Sequence, residues 1–468
     1  MPRVLRTVLI VLAPLMLLLA VAVFLLSRVD TKSEFEMVAS DATGLDVAVN
    51  GNVSIGLFPI PHATLKDVTL KHKESQIVSA SEADVGVEFW PLLRKQVRIQ
   101  RLALQNVSID VVRDRNGHYN FLTPSKIAHP VPAISLGRVS LVNATLHYTN
   151  QETDRELQAS DCTLDSDEFQ LSEGASADIL KHLSVSASVV CAEMRSNLFV
   201  GTDVHFSIAG QNGVFTRTPV TMTIMGGKGS GNIDANFTGA APVYRVHYAV
   251  TRLHGDDLFK TIAPGKVAGG SMDFTADLAL RGWDADEMTR SADGEAALRG
   301  KDLDVAIGDL DERLSRYESS QNFNLVDVGA FFIVGPLGLV VSKGYNFASI
   351  FQGTGGDTHI RILVSHWKVE SGVAHAQDVA MATKQNRLAM KGALDFVNMR
   401  FDDVTVATLD NKGCARVEQE IRGPFSKPVV EKPNVIASLT GPISRLIGKT
   451  KKLFGAKCTV FYEGSVTP

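Results

Sequence analysis

The residues in this chain that could carry chemistry are twelve histidines, four cysteines, a few adjacent acids and one glycine-rich run. The histidines are dispersed, mostly on strand-like faces such as those of His147, His205 and His247, and none has H-E-x-x-H or comparable metal-binding spacing. Gly226-Gly227-Lys228-Gly229-Ser230-Gly231 has the composition of a phosphate cradle. Strand-like Asn232 to Phe237 follows it, so no helix N-terminus stands behind it to hold an anion, and it reads as a tight turn. Asp256-Asp257 and Asp402-Asp403 read as turn acids, too common in that role to support a glycosidase. No catalytic, metal-binding or cofactor-binding residue is expected, and the chain reads as a non-enzyme.

The cysteines point to structure. None lies in a C-x-x-C pair or beside a histidine at ligand spacing, which argues against zinc. An even count suits an oxidising compartment. Cys162 and Cys191 stand in neighbouring strand-like stretches, as do Cys414 and Cys458, so two bridges in those pairings are expected; free buried thiols are the alternative.

These residues are carried on a chain of 468 residues, 45% hydrophobic, long enough for two or three ordinary domains or one elongated repetitive one. A net charge of −4 without a basic stripe argues against nucleic acid, whose phosphates need clustered Lys and Arg. The apolar run Val8 to Leu26, interrupted only by Pro14, is close to the roughly 20 residues a bilayer needs. Ala20-Val21-Ala22 has the form of a signal-peptidase site, but the run stays apolar through Leu26, so an uncleaved anchor is expected. Arg3 and Arg6 favour a cytoplasmic N-terminus, with the bulk of the chain outside the cytoplasm.

After the anchor, alternation at period two dominates. Val97, Ile99, Leu102 and Leu104, then Val107, Ile109 and Val111, alternate with polar residues across a phase slip near Arg101, which reads as strand, bend, strand. The pattern recurs at Leu183 to Val189, Val204 to Ile208, Val220 to Ile224, Tyr244 to Tyr248 and Val404 to Val406. Each such strand has one apolar and one polar face. Arg101 to Ile109 is echoed by Arg138 to Leu146, with Arg, Leu and Asn at matched places, and the echo reads as a repeated hairpin stacking on its neighbour. Pro124 to Pro132 marks a boundary between modules.

Few helices are expected. Asp309 to Ser319 is charged, Ile262 to Val267 is broken by Pro264 and Gly265, and Val328 to Val341 is too short and glycine-rich for a second span. Val435 to Phe454 sets Ile436, Leu439, Ile443, Leu446 and Ile447 against Arg445, Lys449, Lys451 and Lys452: a basic amphipathic helix that either lies on a membrane surface or caps the sheet.

The order of motifs resembles the AsmA family of diderm bacteria. An anchor helix is followed by Thr43-Gly44, Gly51, Val53, Ile55, Leu57 and Pro59, then Leu65 to Leu70, Trp90 to Arg94 and the turn Arg113 to Asn120. Val369 to Ala374, Met390 to Phe396 and Ile421 to Pro428 resemble the family's C-terminal part. The resemblance implies a mainly β fold: an N-terminal transmembrane helix (residues 1–28), a chorein-like β module (29–130) and a β-groove body (131–468) ending in the amphipathic helix 435–454. That groove would be an elongated, curled antiparallel sheet with a few short helices, of the bridge-like lipid-transfer type. It implies an inner-membrane, periplasmic protein supporting outer-membrane biogenesis, with phospholipid and a periplasmic or outer-membrane protein as partners.

The alternating strands supply the face such a groove needs, and would equally supply the inside of a closed β-sandwich. Lipid-lining candidates are Ile99, Leu104, Val185, Ile208 and Ile224. An assembly factor that binds barrel-protein strands by β-augmentation is a second reading, and a polysaccharide-acting β-solenoid enzyme a third.

Overall fold

The computed structural model describes residues 45–56, 60–88, 99–120 (except 117), 134–171 (except 153), 179–262 (except 198), 269–314 (except 307 and 313), 357–435 (except 433) and 460–468, with Glu36 and Ser40. It is mainly β. Two compact units divide the chain, Met1–Ile224 with Ser230–Tyr244, and Met225–Gly229 with Arg245–Pro468.

In the first unit, β1 (Asp46–Val49) and β2 (Val53–Gly56) follow one another along β3 (His62–His72). Next come β4 (Ser75–Val87), β5 (Ile99–Arg113), the end-to-end pair β6 (Ile134–Leu136) and β7 (Arg138–Asn150), β8 (Arg155–Leu171), β9 (Leu183–Ser196), β10 (Val200–Gln211) and β11 (Val214–Ile224). Pairing is antiparallel except between β5 and β7, which run parallel across the 121–133 stretch. That pair departs from the all-antiparallel sheet expected, and it joins the strands on either side of the expected Pro124 to Pro132 boundary.

The Arg101 and Arg138 repeats are these two strands lying in register, with Arg101 opposite Arg138 and Leu104 opposite Leu141. The echo therefore marks neighbouring parallel strands instead of stacked hairpins. Asn106 and Asn143 occupy the same place in each, both left-handed (φ 48° and 55°), and Asn143 Nδ2 donates to Asn106 Oδ1 at 2.6 Å. Asp67 on β3, Asp161 on β8, Asp203 on β10 and Arg217 on β11 are also left-handed. At this line the alternation resets: buried Leu102 and Leu104 give way to buried Val107 and Ile109 on β5, and Ala63 and Leu65 to Val68 and Leu70 on β3. Asn and Asp dominate because they tolerate this backbone region best after glycine. The strand, bend, strand reading of residues 97–111 is thus corrected to one strand, β5, with a register shift at Gln100 and a second reset at Asn106.

β12 (Gly227–Asn236) and β13 (Val243–His254) carry residues of both units. In the second unit, β14 (Ser271–Arg281), β15 (Asp293–Val305), β16 (Thr358–Glu370), β17 (Val373–Ala382), β18 (Arg387–Asp395), β19 (Arg400–Leu409) and β20 (Ala415–Pro424) form an antiparallel meander. β21 (Val429–Val430) and β22 (Asn434–Val435) both return to β20. Two short helices are described from end to end, α1 (Gly255–Ile262) and α2 (Ala285–Arg290); residues 310–312 and 314, within the expected Asp309 to Ser319 helix, are helical too, with Leu310 and Leu314 buried, and a 3-10 turn spans Ile179–His182. Asp284 caps α2 by accepting from the Glu287 amide at 2.8 Å, and Glu287 accepts from the amide of Trp283, the residue before the cap, at 2.7 Å.

In this second unit the period-two rule fails where the C-terminal segment covers β16–β19, because both faces are buried there. One face carries Leu363, Trp367, Met381, Leu388, Met390 and Val406. The other carries a floor of alanines, Ala380, Ala382, Ala389, Ala407 and Ala415, onto which the C-terminal segment lays Val466, Phe461 and Tyr462. Asp378 holds that segment by accepting from the Tyr462 hydroxyl and from Ser465 Oγ (2.6 Å), and Arg387 donates to the Val466 carbonyl at 3.2 Å.

Among the described residues no helix is long and apolar enough to cross a membrane; the expected anchor, Val8 to Leu26, lies outside them, as does the apolar stretch Val328 to Val341. The expected helix from Val435 begins differently, since Val435 is in β22 opposite Val417, and the remainder to Phe454 lies outside the described residues.

The left-handed line gives a direct test. Asn106→Gly should be neutral or slightly stabilising in urea unfolding, because glycine adopts positive φ freely, whereas Asn106→Val should cost about 1–2 kcal/mol. Equal stability of the two variants would count against strain at this position.

Candidate functional site

The one-sided face of the first unit changes character along its strands. Over β3–β5 it is buried, with Leu65, Leu70, Val85, Leu102 and Leu104 at most 2% exposed. Over β9–β11 Ala187, Val189 and Val204 stay buried, while Val185, Phe206, Ile208, Met222 and Ile224 are only half-buried. Register explains the relief of this surface. Ile224 lies opposite Gly201, Ile208 opposite Ala187 and Val185 opposite Gly210, so large side chains stand beside small ones, with Met222 against Gly201 and Phe215 over Gly210.

Of the five lining candidates, three lie on the half-open part of this face, Val185 and Ile208 toward the Gly210 end of β10 and Ile224 toward its Gly201 end. Ile99 and Leu104, at 5% and 0% exposure, are packed in the core of β5. Phe206 and Met222 belong with the first three and were not singled out from the sequence, although they share the apolar parity of their strands.

Cys162 and Cys191 face each other across β8 and β9, their Cα atoms 4.0 Å apart, and are joined by a disulfide. The bridge lies in the floor of the same face, packed with Ala159, Val189 and Val204 and bordered by Leu164, Phe206 and Met222. Cys414 is disulfide-bonded as well; Cys458 lies outside the described residues.

In the second unit the corresponding face is buried over β15–β20 and half-buried at Phe274, Leu278 and Leu280 of β14. Two tyrosines on β13 were also not singled out from the sequence. The Tyr244 and Tyr248 hydroxyls are buried with no hydrogen-bond partner among the described residues. Burial pushes both phenols up, Tyr248 to about 12, so they stay protonated. The Tyr248 oxygen lies over Gly229, where a Cβ would come within 2.3 Å of it. The only signal for them in the sequence is a polar-tipped aromatic at an apolar-parity position.

Polar chemistry lies elsewhere. Cross-strand pairs His247 with Asp277 (3.3 Å), His359 with Asp304 (2.7 Å) and His366 with Glu295 (3.2 Å) sit on the solvated face. His254, Asp256 and Asp257 form the one three-ligand cluster among the described residues, at the start of α1. Gly226 is in a tight turn with φ 72°, and β12 follows it. The Arg113 to Asn120 turn is held by Asp114 Oδ1, which accepts from the His118 and Asn116 amides (2.8 and 2.9 Å). A polar depression of about 460 Å³ lies beside it, lined by Asp114, Arg115, Asn116, Thr149, Gln151 and Asp154.

Residues 1–189 match the model of the AsmA family. No curated protein and no solved structure matches the chain.

Two outcomes follow from this geometry. Aspartate at Val185, Ile208 or Ile224 should leave folded, soluble protein, because the charge reaches water, whereas Ile99→Asp and Leu104→Asp should bury an unpaired charge at several kcal/mol and abolish it. Expression and circular dichroism of the five variants separate the groups. Non-reducing peptide mapping should recover Cys162 linked to Cys191 and Cys414 linked to Cys458; loss of the first bridge, which closes a separation of 29 residues, should cost about 3–4 kcal/mol in chemical unfolding.

Proposed function

We propose that this chain, a member of the AsmA family through its residues 1–189, is an inner-membrane-anchored periplasmic protein that supports outer-membrane biogenesis by shielding phospholipid acyl chains during transfer between membranes. The observation that carries this reading is the half-open apolar face of β9–β11, with its alternation of large and small side chains. A sixteen-carbon tail in water faces a penalty on the order of 10 kcal/mol, at about 0.8 kcal/mol per methylene. An apolar surface that is already partly dehydrated removes much of that barrier and lets the headgroup stay wet.

Scale agrees with this. Gly201 to Gly210 of β10 spans roughly 30 Å at about 3.4 Å per residue, against about 15 Å for one leaflet's hydrocarbon. The positively flanked run Val8 to Leu26 supports an anchor, and the Cys162–Cys191 bridge supports an oxidising compartment. The chemistry proposed is binding and transfer, without a reaction.

A second reading has its own observation. Among the described residues β2 pairs with β3 alone, and its Val53 and Ile55 are 40% and 60% exposed, a place where a partner strand could add to the sheet. A stoichiometric complex with an unfolded outer-membrane barrel protein, lost on Ile55→Lys, would favour it.

The primary reading is tested by mass spectrometry of lipid extracted from the purified full-length protein. Phospholipid should co-purify, and Ile208→Asp and Ile224→Asp should reduce it at least about tenfold while protein levels hold. Wild-type protein free of phospholipid after exposure to phosphatidylethanolamine vesicles would sink the proposal.

A further inference from the structure

On the apolar face of the first unit, one hydroxyl stands out. Tyr244 is 8% exposed, and its oxygen is buried with no hydrogen-bond partner among the described residues. The ring packs edge-on against Phe237 (centroids 5.9 Å apart), which packs edge-on against Phe215 (5.8 Å). Phe215 in turn lies over Gly210, where a Cβ would come within 2.3 Å of its ring, and Gly210 pairs with Val185. The aromatic group therefore adjoins the half-open floor, next to the exposed turn Thr238 to Ala240.

A phenylalanine would fill this place without the cost of an unsatisfied buried donor, which is typically about as large as a hydrogen bond. The phenol is a neutral donor, and burial holds it protonated. A buried neutral donor is best matched by a neutral acceptor, since bringing a charged phosphate there would add a desolvation penalty. An amphiphile whose tail lies on Val185 and Ile208 would bring its ester carbonyls, just above the first methylenes, toward this end of the floor.

We infer that the Tyr244 hydroxyl is the polar anchor of the acyl-binding face, donating a hydrogen bond to an ester carbonyl of a diacyl glycerophospholipid. This deepens the lipid-shielding reading and rests on it: tails supply affinity, and Tyr244 distinguishes ester-linked lipid from an ether-linked or purely hydrocarbon chain and fixes how far the tail slides along the face.

The test is a competition. Full-length protein is exposed to vesicles holding equal amounts of dipalmitoyl phosphatidylethanolamine and its dihexadecyl ether analogue, and the ratio of the two in co-purified lipid is measured by mass spectrometry. Wild type should favour the ester about fivefold, the worth of one buried hydrogen bond. Tyr244→Phe should bring the ratio to one, with total lipid nearly unchanged and a thermal midpoint no lower than wild type. A wild-type ratio of one, or a ratio unchanged in Tyr244→Phe, overturns the anchor and leaves lipid shielding standing. Equal loss of both lipids with a lowered midpoint shows a packing role and also overturns it. If neither lipid co-purifies with wild type, the lipid-shielding reading falls and the anchor with it.

Discussion

Keeping one apolar face continuous along strands that bend is the constraint on which the rest of this structure depends. A strand shows alternate residues to one side, so any bend or extra residue exchanges the two faces unless the sequence changes phase with it. Here the change of phase is made at left-handed residues, Asp67, Asn106, Asn143, Asp161 and Asp203. The polar side chains at these places also bond across strands, Asn143 to Asn106 and Asn106 to Ser81 (2.9 Å), which aligns the resets between neighbours. Because all strands switch together, Leu104 and Val107, or Leu65 and Val68, remain on the same side of the sheet.

The same line accounts for what was and was not legible in the sequence. Strand content was read directly from period two, and so was the Arg101 and Arg138 echo, but its meaning as parallel neighbours depended on a pairing that local pattern does not encode. A phase slip was visible near Arg101, whereas the one at Asn106 is masked because Gln105 and Asn106 look like any two exposed residues. Nothing in the local pattern of β16–β19 marks Ala380, Ala389 and Ala407 as buried, and only the returning C-terminal segment makes their face a second core.

Among site residues, legibility followed burial. Val185, Ile208 and Ile224 share their parity and alternation with Ile99 and Leu104, so sequence grouped all five; the difference arises from whether the face is covered at that strand, which is a tertiary property. Tyr244 was overlooked for a related reason. Its aromatic ring fits the apolar parity, and nothing in the sequence distinguishes a hydroxyl that reaches water from one that is shut in beside Phe237.

Leaving part of an apolar face open has a structural cost, and the disulfide sits where that cost falls. Half-buried Val185, Phe206, Ile208, Met222 and Ile224 contribute less burial than their counterparts on β3–β5, at roughly 25 cal/mol for every Å² left in water. Strands so weakly packed are free to slip register, and a slip of one residue would turn the apolar face to the other side. A covalent tie between directly opposed residues forbids that slip, and Cys162–Cys191 makes it within the floor itself, one strand from Val204 and Phe206. The bridge thus substitutes for packing that a half-open apolar face forgoes, while its sulfurs, being apolar, keep the floor free of polar groups.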